Sequence, residues 1–201
     1  SALVQELINE SLICEDANGA PPATAGRPPV SLRLNSTARF SIGLEITGWE
    51  CISALTDLYA NPLRVLRKPL CDPTVTTAVD CLAESVAGLL GGYDRGALLG
   101  IGVGVPGPVD AARRRVIRAE NIGWTDVPLG PLLEERVGTP VTVVKRQNAG
   151  ALGEYWHGVG RGKANLLYIS VAVGIGCGVI EATGIRPTGS ENRIVLPTAM
   201  T

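Results

Sequence analysis

The sequence predicts an α/β fold, and three observations support this prediction. Three short β-type segments follow one another between residues 40 and 70, as in an antiparallel meander. Helical and strand-like segments then alternate, which is typical of helices packed on a sheet. Residues 97–109 (ALLGIGVGVPGPV) are almost entirely apolar, as expected for a strand covered on both faces. The order βββ-α-β-α-β-α, followed by further β structure, is the ribonuclease H-like plan.

The individual elements follow from the spacing of apolar residues. The meander strands are predicted at 40–47, 50–59 and 63–70. A helix is predicted over 73–92 because apolar residues recur on one face and Gly91-Gly92 can end it. The later segments are a helix, a strand, a helix and a β-hairpin turned by Gly174 to Gly178, at 129–138, 140–145, 148–159 and 164–182.

Composition excludes several classes of protein. Of the 201 residues, 45% are hydrophobic and 18% charged, so the chain can bury a core. The net charge of −1 gives no overall signature for nucleic acid or membrane binding. Five scattered cysteines and a single histidine predict neither a metal site nor a disulfide framework, and they favour a cytoplasmic protein. The longest apolar run, residues 166–180, is short for a membrane span and contains three glycines.

The first 36 residues differ in character from the rest. Residues 1–13 place apolar side chains at helical spacing, with Ser1 as a possible N-cap. A loop rich in Ala, Gly and Pro follows, and residues 30–35 (VSLRLN) alternate like a strand. This segment is too small to bury a core of its own.

The stretch VTVVKRQNAGALGE, residues 141–154, is predicted to be a buried strand that runs directly into a helix. In open α/β sheets, ligands bind beyond the carboxyl ends of the strands, so a site is expected at this junction. The residues there are Lys145, Arg146, Gln147 and Asn148, with no carboxylate among them.

Four segments together resemble the ROK family, a family of repressors and sugar kinases. They are GIGVGVPGPVD (100–110), ENIGWTDVPLGPLLEERVGTPVTV (120–143), NAGALGEYWHGVGRG (148–162) and VAVGIGCGVI (171–180). The resemblance implies an actin-like sugar-kinase fold over residues 38–180, comprising the first lobe and the start of the second. Residues 181–201 are expected to form a divergent tail.

The N-terminal segment resembles the winged helix-turn-helix of the regulator branch of that family. The resemblance makes residues 1–36 a partial domain, with a recognition helix at 1–13 and a wing at 20–35. The candidate DNA-binding residues are Ser1, Gln5 and Arg27. The alternative is a plain amphipathic helix followed by a linker.

The resemblance also indicates lost catalysis. Kinases of the family carry an Asn-Asp pair at the end of the strand, and alignment through NAGALGE puts Lys145 and Arg146 at those positions. Arginine cannot be deprotonated and so cannot act as a base. Loss of a general base typically costs about two to four powers of ten in rate. Asn121, Lys145 and Arg146 are the candidates for the sugar cleft, although Asn121 and Trp124 can equally form a structural turn.

Two phosphate-binding segments are expected from the resemblance. Glu45, Thr47 and Gly48 correspond to the first, where Trp49 replaces a small hydroxyl residue. Gly174, Gly176 and Gly178 correspond to the second. The alternative readings are that Glu45 simply ends a strand at the surface and that the glycines only turn a hairpin. No cofactor is expected unless the protein is a kinase, which would use ATP and magnesium.

The leading prediction is a sugar-responsive transcriptional regulator with a degenerate kinase-like domain. Its partners would be an operator DNA, a sugar or sugar-phosphate effector and a second subunit, and the cationic Lys145 and Arg146 favour a phosphorylated or acidic effector. The first alternative is a hexose kinase whose base is Glu45, Asp110 or Glu154. The second is a non-functional fragment, because the resemblance is expected to end at Ile180 and both ends look truncated.

Overall fold

The computed structural model describes residues 2–16, 30–171, 174–181 and 184–186. Its helices are α1 (Ala2–Asn9), α2 (Val75–Leu90), α3 (Leu129–Val137) and α4 (Arg146–His157), with short 3-10 turns at Arg95–Ala97 and Glu120–Ile122. Its strands are β1 (Ile13–Asp16), β2 (Ser31–Leu34), β3 (Phe40–Ile46), β4 (Glu50–Thr56), β5 (Pro62–Pro69), β6 (Leu98–Val105), β7 (Val116–Ala119), β8 (Trp124–Val127), β9 (Val141–Lys145), β10 (Leu166–Val171), β11 (Ile175–Glu181) and β12 (Gly184–Arg186).

The main sheet has five strands in the order β5-β4-β3-β6-β9. The first three strands form the predicted antiparallel meander, and β6 and β9 then add in parallel to β3. Along β3 every second residue is buried, since successive side chains of a strand point to opposite faces. The predicted α/β fold and its ribonuclease H-like strand order are confirmed.

Helices α2 and α3 cover one face of the main sheet and enclose the core. The Thr74 side chain caps α2 by accepting the backbone N–H of Thr77, and Gly138 ends α3 in the left-handed conformation (φ 66°). Both helices bury apolar residues against the strands, and they contact one another. The hydrophobic core of the chain therefore lies on this side of the sheet.

Helix α4 joins the main sheet to a second sheet of strand order β10-β11-β12. The predicted hairpin exists, but the turn was wrongly placed at Gly174 to Gly178. Val171 pairs with Ile175, so the chain reverses between these two residues, and Gly176 and Gly178 lie within β11. A small cluster centred on Ala151 and Ile180 holds α4 against this sheet.

The N-terminal segment forms helix α1 and an antiparallel pair of strands, β1 and β2. The predicted helix over 1–13 is too long, because Ser11 has a positive φ of 60° and Ile13 begins β1. No residue of α1 is buried, in keeping with a segment too small for its own core. Ser1 and Arg27 lie outside the described residues, and the winged-helix assignment of 1–36 stays a prediction.

The sequence did not predict the hairpin of β7 and β8, which precedes α3. The basic run before it, residues 113–115, forms a turn, and two of its arginines are paired with acids. Arg114 makes a two-pronged ion pair with Glu134, and Arg115 lies 3.3 Å from Asp126. The turn is therefore part of the architecture of the first lobe.

Candidate functional site

The junction of β9 and α4 lies where three parallel strands end side by side. Glu45 of β3 pairs in register with Gly104 of β6, and Val105 of β6 pairs with Lys145 of β9. Helix α4 starts at Arg146 without a side-chain N-cap. Glu45, the 105–108 loop and the first turn of α4 are thus brought to one edge of the sheet, as predicted from the strand-helix pattern.

Arg146 occupies this edge and is paired with Glu45. Its Nη1 lies 3.4 Å from Oε1 of Glu45, and the Arg146 side chain is only 18% exposed. Glu45 is the residue before the last one of β3 and its side chain is 40% exposed, so a strand end at the surface stays an open interpretation, now with Arg146 as a partner. The junction therefore carries a cation, Arg146, that is paired with the nearby carboxylate of Glu45.

Lys145 points away from the cavity in which a sugar was expected. Its Nζ donates to the backbone carbonyl of Cys177 in β11 at 3.3 Å, and it does not line either cavity described below. Among the three candidates for the sugar cleft, only Asn121 and Arg146 share a cavity wall.

Gly176 and Gly178 permit a close contact between β11 and α4. A Cβ on Gly178 would lie 2.2 Å from the carbonyl oxygen of Gln147, and one on Gly176 would lie 2.5 Å from Nε2 of the same residue. At Gly178 the obstacle is backbone, so only glycine fits there, whereas at Gly176 a larger residue would displace the Gln147 side chain. Gly176 and Gly178 therefore serve the packing of β11 against α4. Gly174, the third glycine of the predicted phosphate-binding segment, lines the outer cavity.

The turn between β3 and β4 offers little to a phosphate or a magnesium ion. Thr47 is buried, and its hydroxyl is used within the turn, since it accepts the N–H of Glu50 and donates to the Glu50 carbonyl, both at 3.2 Å. Gly48 adopts φ 111°, which the turn requires. The carboxylates nearby, Glu45, Glu50 and Glu120, are each paired with an arginine. This donor set fits magnesium-ATP poorly.

The segment around Asn121 divides into a structural part and a cavity-lining part. Trp124 is buried, and its Nε1 donates to the carbonyl of Pro73 at 2.7 Å, so it serves the fold. Asn121 lines the outer cavity together with Arg118 and Glu120. Trp124 therefore has a structural role, whereas Asn121 lines a cavity and its contact with a sugar stays a prediction.

Two cavities flank the first turn of α4. The outer cavity, of about 440 Å³, is lined by Thr47, Trp49, Pro106, Gly107, Pro108, Arg118, Ala119, Glu120, Asn121, Arg146, Gln147, Gly174 and Ile175. The inner cavity, of about 470 Å³, lies between the open face of the main sheet, α4 and β10. The outer cavity is at the carboxyl ends of the strands and is therefore the candidate ligand site.

The outer cavity lacks the net positive charge that Lys145 and Arg146 led us to expect. Lys145 is directed elsewhere, Arg146 is paired with Glu45, and Arg118 is paired with Glu120 at 2.7 Å. Each arginine on the wall thus has a carboxylate beside it, and an incoming anion would have to compete with that carboxylate.

Three buried polar atoms in the first turn of α4 have no hydrogen-bond partner. They are Nε of Arg146, Oε1 of Gln147 and Oδ1 of Asn148. An unpaired buried polar group costs about 1–3 kcal/mol, so such groups are uncommon outside functional sites. The wall residues Arg118 and Ile175 were not predicted, because only the folded chain brings them to the junction.

The described residues contain no cluster of three or more His, Cys, Asp or Glu side chains that would hold a metal ion. Within the same part of the chain, no helix combines the length and the hydrophobicity needed to cross a bilayer.

Comparison with known proteins gives a consistent result. The profile of the ROK family matches residues 41–190, ten residues beyond the expected limit at Ile180. A putative xylose repressor of Caldicellulosiruptor sp. (strain Rt8B.4) is 33% identical over 184 residues, covering 90% of this chain and 45% of the relative. A glucokinase of Streptomyces coelicolor is 35% identical over 147 residues, covering 73% of this chain and 45% of the enzyme.

Solved structures agree. A ROK family glucokinase from Streptomyces griseus, in complex with glucose and AMPPNP, superposes with a TM-score of 0.69 at 34% identity, covering 73% of this chain and 46% of the enzyme. A ROK family transcriptional regulator, a homologue of the E. coli MLC protein, superposes with a TM-score of 0.73 over 96% of this chain and 49% of the regulator; at 22% identity this shows the fold alone. The chain spans about half the length of these relatives.

Proposed function

This chain belongs to the ROK family, and we propose that it is part of a sugar-responsive transcriptional regulator rather than a sugar kinase. The observation that carries the proposal is the pairing of Arg146 with Glu45 at 3.4 Å, at the junction where the resemblance to family kinases implies a catalytic carboxylate. A guanidinium cannot accept the proton of a sugar hydroxyl at any physiological pH. The fold is retained while the group that the reaction needs is replaced.

The nucleotide side of the site supports the same proposal. Phosphoryl transfer depends on a magnesium ion and on positioned donors around the phosphates. Here the Thr47 hydroxyl is hydrogen-bonded within its turn, and the half-exposed Trp49 lines the cavity where the resemblance implies a small hydroxyl residue. Under this proposal, the protein binds neither ATP nor magnesium.

In the regulator, a sugar binds the cleft and alters the affinity of the DNA-binding part for its operator. The N-terminal segment, an exposed helix followed by two paired strands, would supply part of a winged helix-turn-helix in this proposal. Gln5 would contact the DNA, together with Ser1 and Arg27, which lie outside the described residues. The intact regulator is a cytoplasmic homodimer. Several relatives are xylose repressors, which makes xylose a reasonable first effector to test.

Kinase activity separates this proposal from the alternative. We expect the purified chain, incubated with magnesium-ATP and glucose, mannose or N-acetylglucosamine, to form no ADP above the sugar-free background. ADP formation that depends on sugar and is lost in Arg146→Ala would overturn the proposal and identify Arg146 as part of an active kinase site.

Regulation is tested in the cell. We expect deletion of the gene to change the transcription of a small set of carbohydrate genes, and xylose or another sugar to mimic the deletion in the parent strain. RNA sequencing of both strains with and without sugar measures this. Identical transcript profiles under all conditions would contradict a regulatory role.

A further inference from the structure

We infer that Cys51 and Cys81 form a redox modification site, at which a hydroperoxide joins their two sulfur atoms in a disulfide that fastens α2 to β4. The five cysteines of the chain are free thiols in this structure. In a reducing compartment, the disulfides that do form are usually transient and redox-sensing, and the bond inferred here is of that kind. The inference goes beyond the proposed function and does not depend on it.

The two thiols are neighbours in the fold, although they lie 30 positions apart in the sequence. Cys51 is the second residue of β4, and Cys81 belongs to α2, the helix that packs on this strand. Their side chains are hydrogen-bonded to one another, and Cys81 packs against the core that contains Cys51. An S–S bond is only about 2.05 Å long, so it forms most readily between sulfur atoms that are already in contact.

Side chains of β5 hold α2 in place beside the thiols. Cys51 pairs in register with Lys68, and Nζ of Lys68 lies 2.9 Å from a carboxylate oxygen of Glu84, one helical turn after Cys81. Arg64 of the same strand donates to three backbone carbonyls at the C-terminal end of α2. The contact between the two thiols is therefore set by the fold of the first lobe.

The two cysteines differ in their access to solvent. Cys51 is 0% exposed, and burial together with the contact to Cys81 raises the pKa of its thiol to about 12, so it stays protonated. Cys81 is partly exposed. A small oxidant therefore reaches Cys81 first, and Cys51 lies behind it as the thiol that resolves the oxidised form.

One hydroperoxide balances the reaction. The sulfur of Cys81 attacks the O–O bond, an S–O bond forms as the O–O bond breaks, and the thiol proton leaves with the alcohol or water that is released. The sulfur of Cys51 then attacks the sulfenic acid, the S–S bond forms as the S–O bond breaks, and the Cys51 proton leaves in a molecule of water. The two thiols lose two electrons in all, and the peroxide gains them.

The disulfide would have a stabilising effect that can be measured. It closes the loop between residues 51 and 81, which removes conformational freedom from the unfolded chain. Cys51 lies two residues after Trp49, so the bond would also fix the strand that leads out of the turn at the wall of the outer cavity.

The test is peroxide treatment of the reduced full chain, followed by mass spectrometry without reduction. Cys71→Ser is the background, because Cys71 and Cys81 share the tryptic peptide 68–95. We expect this peptide to be joined to residues 40–64, which carry Cys51, about 10-fold more often than any other cysteine pair is joined. The Tm should rise by about 5–10 °C, and dithiothreitol should reverse both changes.

Matched variants show which cysteines are needed. Cys81→Ser should show no rise in Tm with peroxide, whereas Cys14→Ser, which keeps both partners, should respond like the background. Each variant is compared with itself before and after peroxide, so a change in its own stability does not enter the result. Oxidation in urea should join the cysteines without preference, because the fold no longer aligns them.

Several results would overturn the inference. They are a bond from Cys51 to another cysteine, a disulfide between two copies of the chain, and sulfinic acid at Cys81 beside a free Cys51. A peroxide-treated chain in which both thiols stay reduced would overturn it as well. These results leave the proposed absence of kinase activity untouched, since that is measured by ADP formation.

Discussion

The two sheets of the molecule differ in how much of their apolar surface they bury. The main sheet packs against α2 and α3 and contributes to one continuous core, whereas the second sheet has a small cluster around Ala151 and Ile180. One face of the β10–β11 hairpin leaves Leu167, Ile169 and Val171 more than half exposed. In the described part of the chain, the first lobe therefore stabilises itself, while the second sheet depends on α4.

The largest expected loss of stability comes from removing a large side chain from the main core. Leu82 lies fully buried in α2, and Leu82→Ala should lower the free energy of unfolding by up to about 5 kcal/mol, because rigid neighbours leave a cavity. Ile180 is equally buried, but its neighbours Leu166 and Tyr168 are half-exposed and can move into the space. Ile180→Ala should cost about 2 kcal/mol.

Urea unfolding followed by circular dichroism measures both variants. A second readout is the Cys51 thiol, whose pKa is raised to about 12 by burial and by the nearby Cys81. It should react with a thiol reagent only after the main core opens, and so faster in Leu82→Ala than in Ile180→Ala. An equal or greater loss of stability in Ile180→Ala would contradict the difference between the two sheets.

The contact of β11 with α4 is the next point at which the comparison can be tested. Gly178→Ala places a methyl 2.2 Å from the Gln147 carbonyl oxygen, so the strand must move away from the helix. We expect a loss of about 1–3 kcal/mol and weaker sugar binding, because the first turn of α4 shifts.

Gly153 of α4 is the control for this change. A Cβ there meets no atom within 4 Å, and Gly→Ala inside a helix is favourable by up to about 1 kcal/mol. Thermal unfolding and sugar titration of both variants distinguish a steric effect from a general effect of added methyl groups. Unchanged stability and binding in Gly178→Ala would show that the close approach is unnecessary.

The smallest expected effect concerns a surface anchor of the main sheet. Arg114 and the backbone N–H of Val141, which donates to Oε1 at 2.7 Å, hold the pKa of Glu134 well below its usual range, at about 2. Glu134→Gln should cost about 1–2 kcal/mol at pH 7, since a charged hydrogen-bond acceptor is lost. The neighbouring exposed Glu135→Gln should have little effect.

The pH dependence of this effect has a defined sign. A carboxyl group with a depressed pKa in the folded state stabilises the protein above its unfolded pKa of 4.5, and this contribution is lost as the pH falls towards 2. The parent and Glu134→Gln should therefore converge in stability over that window. A constant difference from pH 7 to pH 2 would rule out the ion pair as its source.

Periodicity explains which elements were predictable. The meander and helices α2, α3 and α4 carry clear alternation or helical spacing, and all were found. The hairpin of β7 and β8 was missed because each four-residue strand buries only its two ends, a pattern that resembles neither a strand nor a helix. The end of α1 was missed because helical spacing continues to Leu12 while the chain turns at Ser11.

The candidate site was predictable in position but not in chemistry. Strand-helix order located the junction, and alignment identified Arg146 as the replacement for a base. The partner of Arg146 is Glu45, a residue 101 positions earlier, and only the register of parallel strands brings the two together. The charge balance of the cavity depends on such pairs, so a count of cations along the sequence does not give it.

Lys145 and Arg146 are consecutive, yet one holds the Cys177 carbonyl of the second sheet and the other holds Glu45 of the first. These two adjacent residues therefore link the main sheet to the second sheet. A ligand that separates Arg146 from Glu45 would break the contact with the main sheet and leave the Lys145 contact with the second sheet in place. The first turn of α4 would then be the point about which the two sheets move. A movement caused by a sugar in the cleft would then reach the second sheet through the first turn of α4.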